Sequence, residues 1–248
     1  MANKKKRVDL VLVERGLAET SARAKALIMA GLVFLGEQRV DKPGQQIALE
    51  AQITVRGNDN PWVSRGGLKL AYALEYFDIS TDVAVALDVG ASTGGFTDVL
   101  IQRGARMVYA VDVGRGQLDW KLQTDVRVVQ LDKTNARYLT SEIIPDQVNL
   151  ISCDASFISL KTVLPAALKL VAPSAMLIAL IKPQFEVERS HVNKGGVVKD
   201  PYFHREVCKD IKYWLSEIPG WKVWGVTESP IQGAEGNREF FIAGQYIA

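Results

Sequence analysis

Hydrophobic positions follow two rhythms along this chain, and the rhythm changes once. Up to residue 60 the apolar runs are short. Val8 and Leu10–Val13 form a helical run that Gly16 can end as a left-handed cap. Thr20 or Ser21 can cap a second helix reaching Ala30, with Leu27 and Ile28 on its apolar side and Gly31 at its end. Leu32–Leu35, the turn-like Gly36-Glu37-Gln38, Val40 and Ile53–Val55 predict a small antiparallel sheet, with Lys42-Pro43-Gly44 as a loop. Gly57-Asn58-Asp59-Asn60-Pro61 is the most linker-like stretch. The expected domains are therefore 1–60 and 65–248, with 57–64 as linker.

From Arg65 onward strands and helices alternate. Expected helices are Leu68–Phe77, Phe96–Arg103, Leu160–Val171 and Tyr202–Glu217. Expected strands are Val83–Leu87, Met107–Val111, Val126–Gln130, Val148–Ser152, Met176–Ile181, Lys222–Val226 and Glu239–Ala243. Near-continuous apolar strands between helices imply an α/β domain whose parallel sheet is covered on both faces. Ligands in such sheets bind beyond the carboxyl ends of the strands. Asp88, Asp112, Asp132, Asp154 and Lys182 fall at or just beyond those ends.

Composition narrows the class. With 248 residues, 48% hydrophobic and 23% charged, the chain is globular and not disordered or fibrous. Cys153 and Cys208 have no close partner cysteine, and His191 and His204 stand at no metal-ligand spacing. No disulfide scaffold and no metal site are expected, and the reducing cytoplasm is the expected compartment. No apolar run approaches the roughly 18 residues of a membrane span. The net charge of +2 hides an asymmetry. Residues 1–69 carry 12 Lys and Arg against 7 Asp and Glu, so the head is basic and the remainder mildly acidic. That is the pattern of a polyanion-binding module joined to another unit, or simply of a solvated charged face.

The first strand–helix turn reads Asp88-Val89-Gly90-Ala91-Ser92-Thr93-Gly94-Gly95-Phe96. A dinucleotide site would want Gly-x-Gly-x-x-Gly under a pyrophosphate. Here Ser92 takes the place of the second glycine and the spacing to Gly94 and Gly95 differs. The looser pattern suits a ligand without pyrophosphate, and Asp112 at the next strand end can accept from ribose hydroxyls. Together these point to S-adenosylmethionine. Phe96 can pack on that cofactor or sit in the core. Asp132, with Asn135, can contact the adenine or cap Thr134–Leu139.

Asp88–Leu100 and Trp62–Leu70 resemble the TlyA family, two-domain proteins related to the FtsJ ribose 2′-O-methyltransferases. The resemblance covers nearly the whole chain. Ser21–Ile28, Gly31-Leu32-Val33 and Asp41–Gly44 are similar to the alpha-L RNA-binding domain, with Gly36-Glu37-Gln38 replacing the usual Asn-Gly turn. The implied fold is a Rossmann-like methyltransferase, with a mixed seven-stranded sheet and helices on both faces, behind a small α+β RNA-binding domain. FtsJ-like enzymes carry a Lys-Asp-Lys-Glu tetrad, which the resemblance assigns to Lys69, Asp154, Lys182 and Glu239. It implies 2′-O-methylation of cytidines in ribosomal RNA or ribosomal subunits, with no membrane and no obligate protein partner. A non-catalytic RNA-binding assembly factor is the rival, and a membrane-active haemolysin the third reading.

A ribose hydroxyl is a weak nucleophile, so the chemistry requires alignment and removal of one proton. Lys182 is the candidate base; placing it beside cationic Lys69 and a sulfonium would penalise its charged form. Asp154 would orient Lys182 and the substrate, and Glu239 would orient Lys69. Phe157 and Phe185 flank this site and can stack on a flipped base or be buried in the core. Lys6, Arg7, Arg15, Arg23, Lys25 and Lys42, with Lys4 and Lys5, can follow a phosphate backbone. The first few residues can equally be a solvated terminus.

Overall fold

The computed structural model describes residues 5–18, 20–29, 31–55, 60–233 and 236–248, apart from the side chains of Arg23 and Ala26. The chain divides into two compact units, Met1–Asp59 and Asn60–Ala248. Lys4, the Arg23 side chain, the helix end at Ala30 and residues 57–59 of the expected linker lie outside the described residues.

The first unit holds β1 (Lys5–Arg7), α1 (Val8–Glu14), α2 (Ser21–Met29), β2 (Val33–Leu35), β3 (Gln38–Arg39), β4 (Gln46–Ala48) and β5 (Ile53–Val55). Val8, Val11, Leu12, Leu27, Ile28 and Val33 close one core between the helices and a three-stranded antiparallel sheet in the order β3-β2-β5. Lys5–Arg7 is a strand rather than a loose tail, paired antiparallel with β4. Three consecutive cations carry no strand signal; the pairing is with residues some forty positions away.

The second unit contains α3 (Gly66–Tyr76), β6 (Val85–Val89), α4 (Gly95–Gln102), β7 (Met107–Val111), α5 (Trp120–Gln123), β8 (Val128–Leu131), β9 (Val148–Cys153), α6 (Leu160–Val163), β10 (Val171–Ile181), α7 (Pro183–Glu186), α8 (Pro201–Ser216), β11 (Trp221–Glu228) and β12 (Phe240–Tyr246). Its seven-stranded sheet runs β11-β12-β10-β9-β6-β7-β8. All pairings are parallel except those of β12, which is antiparallel to both neighbours. Alternation along the strands feeds two cores. Val85, Leu87 and Val89 join Leu177, Ala179 and Ile181 on one face, while Ala86 joins Ile178 and Leu180 on the other. Helices cover both faces for that reason. The chain leaves β6 toward β7 and β8, then returns to β9 on the other side of β6. The crevice of an open α/β sheet lies at such a reversal.

Two expectations fail for local reasons. Leu160–Val171 is not one helix: it stops at Val163, resumes as a single 3-10 turn at Ala167–Lys169, and Val171 already belongs to β10. Pro165 interrupts it, because proline has no N–H to carry the helical ladder. The first strand of the sheet runs to Val89, not Leu87, so Asp88 sits inside it.

Candidate active site

The sheet register assembles the site. Ala179 of β10 pairs with Cys153 of β9, and Ile181 of β10 pairs with Phe240 of β12. The residues just outside these pairs are Asp154, Lys182 and Glu239, so three of the expected site residues stand along one edge. Lys69 arrives from the first turn of α3 and ion-pairs with Glu239, Nζ to Oε2 at 2.6 Å. Both are buried, and Gly233 lies against the Glu239 carboxylate so closely that any side chain there would overlap it. Lys182 is 7% exposed and ion-pairs with Asp154, Nζ to Oδ1 at 2.7 Å. Its Nζ also donates to Ser156 Oγ at 2.7 Å and to the Asp154 carbonyl at 3.2 Å. The immediate neighbours of Lys182 are therefore acceptors, and the charge of Lys69 is balanced by Glu239. The expected repulsion between the two lysines is not the dominant feature.

A cleft opens over this row in two lobes. The first, of about 580 Å³, is lined by the four tetrad residues, Ser64 and Phe96. The second, of about 690 Å³, is lined by Asp112, Val113, Gln117, Thr134 and Asn135. The lobes share Gly90, Ser92, Asp154, Ser156 and Phe157. Gly90 has φ +83, and a Cβ there would meet Cα of Ala155 at 2.9 Å, so only glycine lets the β6 turn lie on the β9 turn. Asp112 accepts from the backbone N–H of Ser92 at 2.8 Å and of Gly114 at 2.7 Å. Each oxygen thus has one amide and keeps a lone pair for a hydroxyl, which fits the ribose of a nucleoside ligand.

Three expected cofactor residues line neither lobe. Asp88 is wholly buried and accepts from Thr97 Oγ1 at 2.7 Å and Ser152 Oγ at 2.8 Å. It braces the glycine turn from below, and burial pushes its carboxyl up to about 6. Gly94 caps α4 in a left-handed conformation, with Leu118 and Leu122 filling the space of a side chain. Asp132 accepts from Gly116 N–H at 2.7 Å and Gln130 Nε2 at 2.9 Å, shaping the loop after β7. The cap of the 3-10 turn Ala136–Tyr138 is Asn135, not Asp132. Phe96 lines the first lobe while stacking on Phe241, so its ring belongs to the core and also faces the cleft. Phe157 is 89% exposed, which removes the core alternative for it, and its ring lies 5.0 Å from that of Phe185. Sequence reasoning missed Ser64, Gln117 and Ser156. A serine two residues after Asp154 was a visible signal, but its contact with Lys182 is long-range.

In the first unit, several expected RNA contacts are engaged internally. Lys6 pairs with Glu14, Arg7 grips the buried Asp9 through two bonds of 3.1 and 2.8 Å, and Arg15 donates to the Leu49 and Ala51 carbonyls. Lys25 and Lys42 are exposed.

Residues 62–246 match the FtsJ-like methyltransferase family, and residues 6–53 match the S4 domain. A 16S/23S rRNA (cytidine-2′-O)-methyltransferase TlyA from Mycobacterium tuberculosis is 46% identical over 237 residues, covering 95% of this chain and 88% of that one. The chain belongs to the TlyA family of FtsJ-like methyltransferases. Hemolysin A of Brachyspira hyodysenteriae is 38% identical, covering 94% of this chain and 97% of that one. A solved structure described as "Putative hemolysin from Streptococcus thermophilus" is 41% identical with a TM-score of 0.76, over 99% of this chain and 90% of the other. Along this chain the S4 match precedes the methyltransferase match. Among the described residues, no helix is long and apolar enough to cross a membrane.

Proposed function

We propose that this protein transfers a methyl group to the 2′-hydroxyl of a cytidine ribose in ribosomal RNA. Family membership makes it an S-adenosylmethionine-dependent methyltransferase. That cofactor supplies a methyl already activated on a sulfonium. The observation that carries the reading is the pair of ion pairs, Lys69–Glu239 and Lys182–Asp154, lining one lobe of a cleft whose other lobe holds Asp112. Asp112 holds the donor's ribose. Lys69, fixed by Glu239, orients the substrate by its charge. Lys182, held by Asp154, takes up the proton released from the ribose hydroxyl. The exposed Phe157 with Phe185 offers a face on which an unstacked base can lie.

Residues 1–60 act as the RNA-binding domain and 65–248 as the catalytic one, with 57–64 between them. Lys25 and Lys42 offer exposed charge to a phosphate backbone; paired Lys6, Arg7 and Arg15 first shape the surface. An enzyme with this substrate works in the cytoplasm.

The test is methyl transfer from labelled S-adenosylmethionine to unmodified ribosomal subunits, with the products mapped by mass spectrometry. Lys182→Ala should abolish transfer while both ligands bind. Lys182→Arg should be nearly as inactive, since guanidinium cannot deprotonate in the working range. An arginine variant keeping more than about a tenth of the single-turnover rate would remove the base role, because general-base catalysis contributes about 10²-fold or more. Tight RNA binding with no incorporation by the wild type would instead favour the non-catalytic assembly factor.

A further inference from the structure

Lys182 Nζ donates to the Asp154 carbonyl at 3.2 Å and to Ser156 Oγ at 2.7 Å, and it ion-pairs with Asp154 Oδ1 at 2.7 Å without the geometry of a hydrogen bond. An ammonium has three N–H donors and serves both hydrogen bonds while its charge faces the carboxylate. A neutral amine has two N–H donors and one lone pair, and a neighbour that hands it a proton must become a donor to that lone pair. The carboxylate and the carbonyl can only accept. The serine hydroxyl alone can reverse, accepting from the ammonium and donating to the amine.

Access points to the same residue. Lys182 is 7% exposed and lines only the first lobe, whereas Ser156 is exposed and lines both lobes of the cleft. A hydroxyl lying in either lobe can therefore meet Ser156 Oγ. We propose that Ser156 is a catalytic residue, a proton relay between the ribose 2′-hydroxyl and Lys182. The inference rests on the methyl-transfer reading above, with Lys182 as the final proton acceptor.

The step balances as follows. The 2′-oxygen forms a bond to the methyl carbon as the methyl–sulfur bond breaks, and that electron pair stays on sulfur. The 2′-O–H proton passes to Ser156 Oγ while the proton of Ser156 passes to Lys182 Nζ. The serine ends neutral, and the lysine ends as an ammonium that donates to the Asp154 carbonyl and Ser156 Oγ and faces the Asp154 carboxylate. Two protons move, so the rate should depend on both.

Single-turnover methylation of ribosomal subunits by the full-length protein tests this. Ser156→Ala should slow transfer by about 10²-fold, the scale of an acid–base contribution. Its affinity for S-adenosylmethionine, measured by calorimetry, should match the wild type and shows that the cleft is intact. Ser156→Thr, which keeps the hydroxyl, should recover most of the rate. Across mixtures of light and heavy water the wild-type rate should curve, as for two protons in flight, and that of Ser156→Ala should fall on a line. A Ser156→Ala rate within about threefold of wild type, small against the expected contribution, would overturn the relay. So would a slow variant that keeps the wild-type curvature. Lys182→Ala separates the two ideas. If it is inactive while Ser156→Ala is unimpaired, the methyl-transfer reading stands and the relay falls; if it is active, the base role and the relay fall together.

Discussion

Glu186 reaches from the turn after Lys182 to the turn after Phe157, where its Oε2 accepts from Ser159 Oγ at 2.6 Å. Its Oε1 accepts from the backbone N–H of Leu160 at 2.8 Å, so one carboxylate caps α6 and ties it to α7. Those two turns carry Asp154, Ser156 and Phe157 on one side and Lys182 and Phe185 on the other. Glu186 is thus a brace for the Lys182 cluster without lining the cleft.

Glu186→Ala should therefore cost about 1.5–3 kcal/mol of stability, the scale for losing hydrogen bonds to a charged group. It should lower the methylation rate while leaving S-adenosylmethionine affinity within about twofold, since each 1.4 kcal/mol corresponds to tenfold and no Asp112 contact changes. Glu186→Gln keeps the acceptor toward Leu160 and should lose less of both. Chemical denaturation and calorimetry on the two variants read this directly. Equal rates in Glu186→Ala and the wild type would mean that the brace is dispensable.

Much of this site is legible from strand ends. Asp112, Asp154 and Lys182 follow apolar runs that could only be buried strands, so their position at the sheet edge follows from the run itself. Lys69 and Glu239 are different. One opens a helix and the other precedes the last strand, and only the resemblance joined them; their ion pair spans 170 positions. The antiparallel direction of β12 was equally invisible to periodicity, because a buried strand reads the same in both directions. Asp88 shows the opposite error. The pattern marks an acid near a glycine turn but does not say which face it takes, and two more residues of strand turn it inward toward Thr97 and Ser152.

Asp112 joins the β7 end to the glycine turn through Ser92, so its loss should act twice. Asp112→Ala removes the ribose acceptor and also frees the Ser92 and Gly114 amides. Affinity for S-adenosylmethionine should fall by roughly 10–100-fold, as expected for about 1.5–3 kcal/mol of hydrogen bonding to a charged group. RNA affinity should stay nearly intact. Calorimetry showing unchanged cofactor binding would remove Asp112 from the site.

The buried Asp88 carries a pH signature of definite sign. Burial raises its carboxyl from 3.8 to about 6, outweighing the two hydroxyl donors. The folded state therefore holds the proton more tightly than the unfolded chain. Stability from this group is complete below about pH 4 and is lost as pH rises through about 6, a change of about 3 kcal/mol. Asp88→Asn cannot ionise and should escape that loss. Between about pH 3 and about pH 8, the unfolding free energy of the variant should gain on the wild type by about this amount. Parallel denaturation curves at all pH values would assign the titration to another group.

Phe157 combines two features that ordinary packing does not explain: its ring is 89% exposed and its backbone is left-handed, at φ +63. A bulky residue in that conformation costs of order 1–3 kcal/mol, and such strain tends to gather at working sites. The ring regains part of this against Phe185, about 0.5–1.5 kcal/mol for an aromatic pair. Phe157→Gly removes the strain and the ring together and should leave stability within about 1 kcal/mol of wild type. Phe157→Ala keeps the strained backbone without the ring and should be the less stable of the two. Both should weaken productive RNA binding by roughly 5–150-fold, the equivalent of about 1–3 kcal/mol of base stacking. Affinity for S-adenosylmethionine should not move, and Phe157→Tyr should retain activity. Methylation assays that vary ribosomal RNA at saturating cofactor read the effect in KM. If the glycine variant has the KM of the wild type, the exposed ring does not receive the base, and its strained backbone must be explained by the Ser156–Lys182 contact beside it instead.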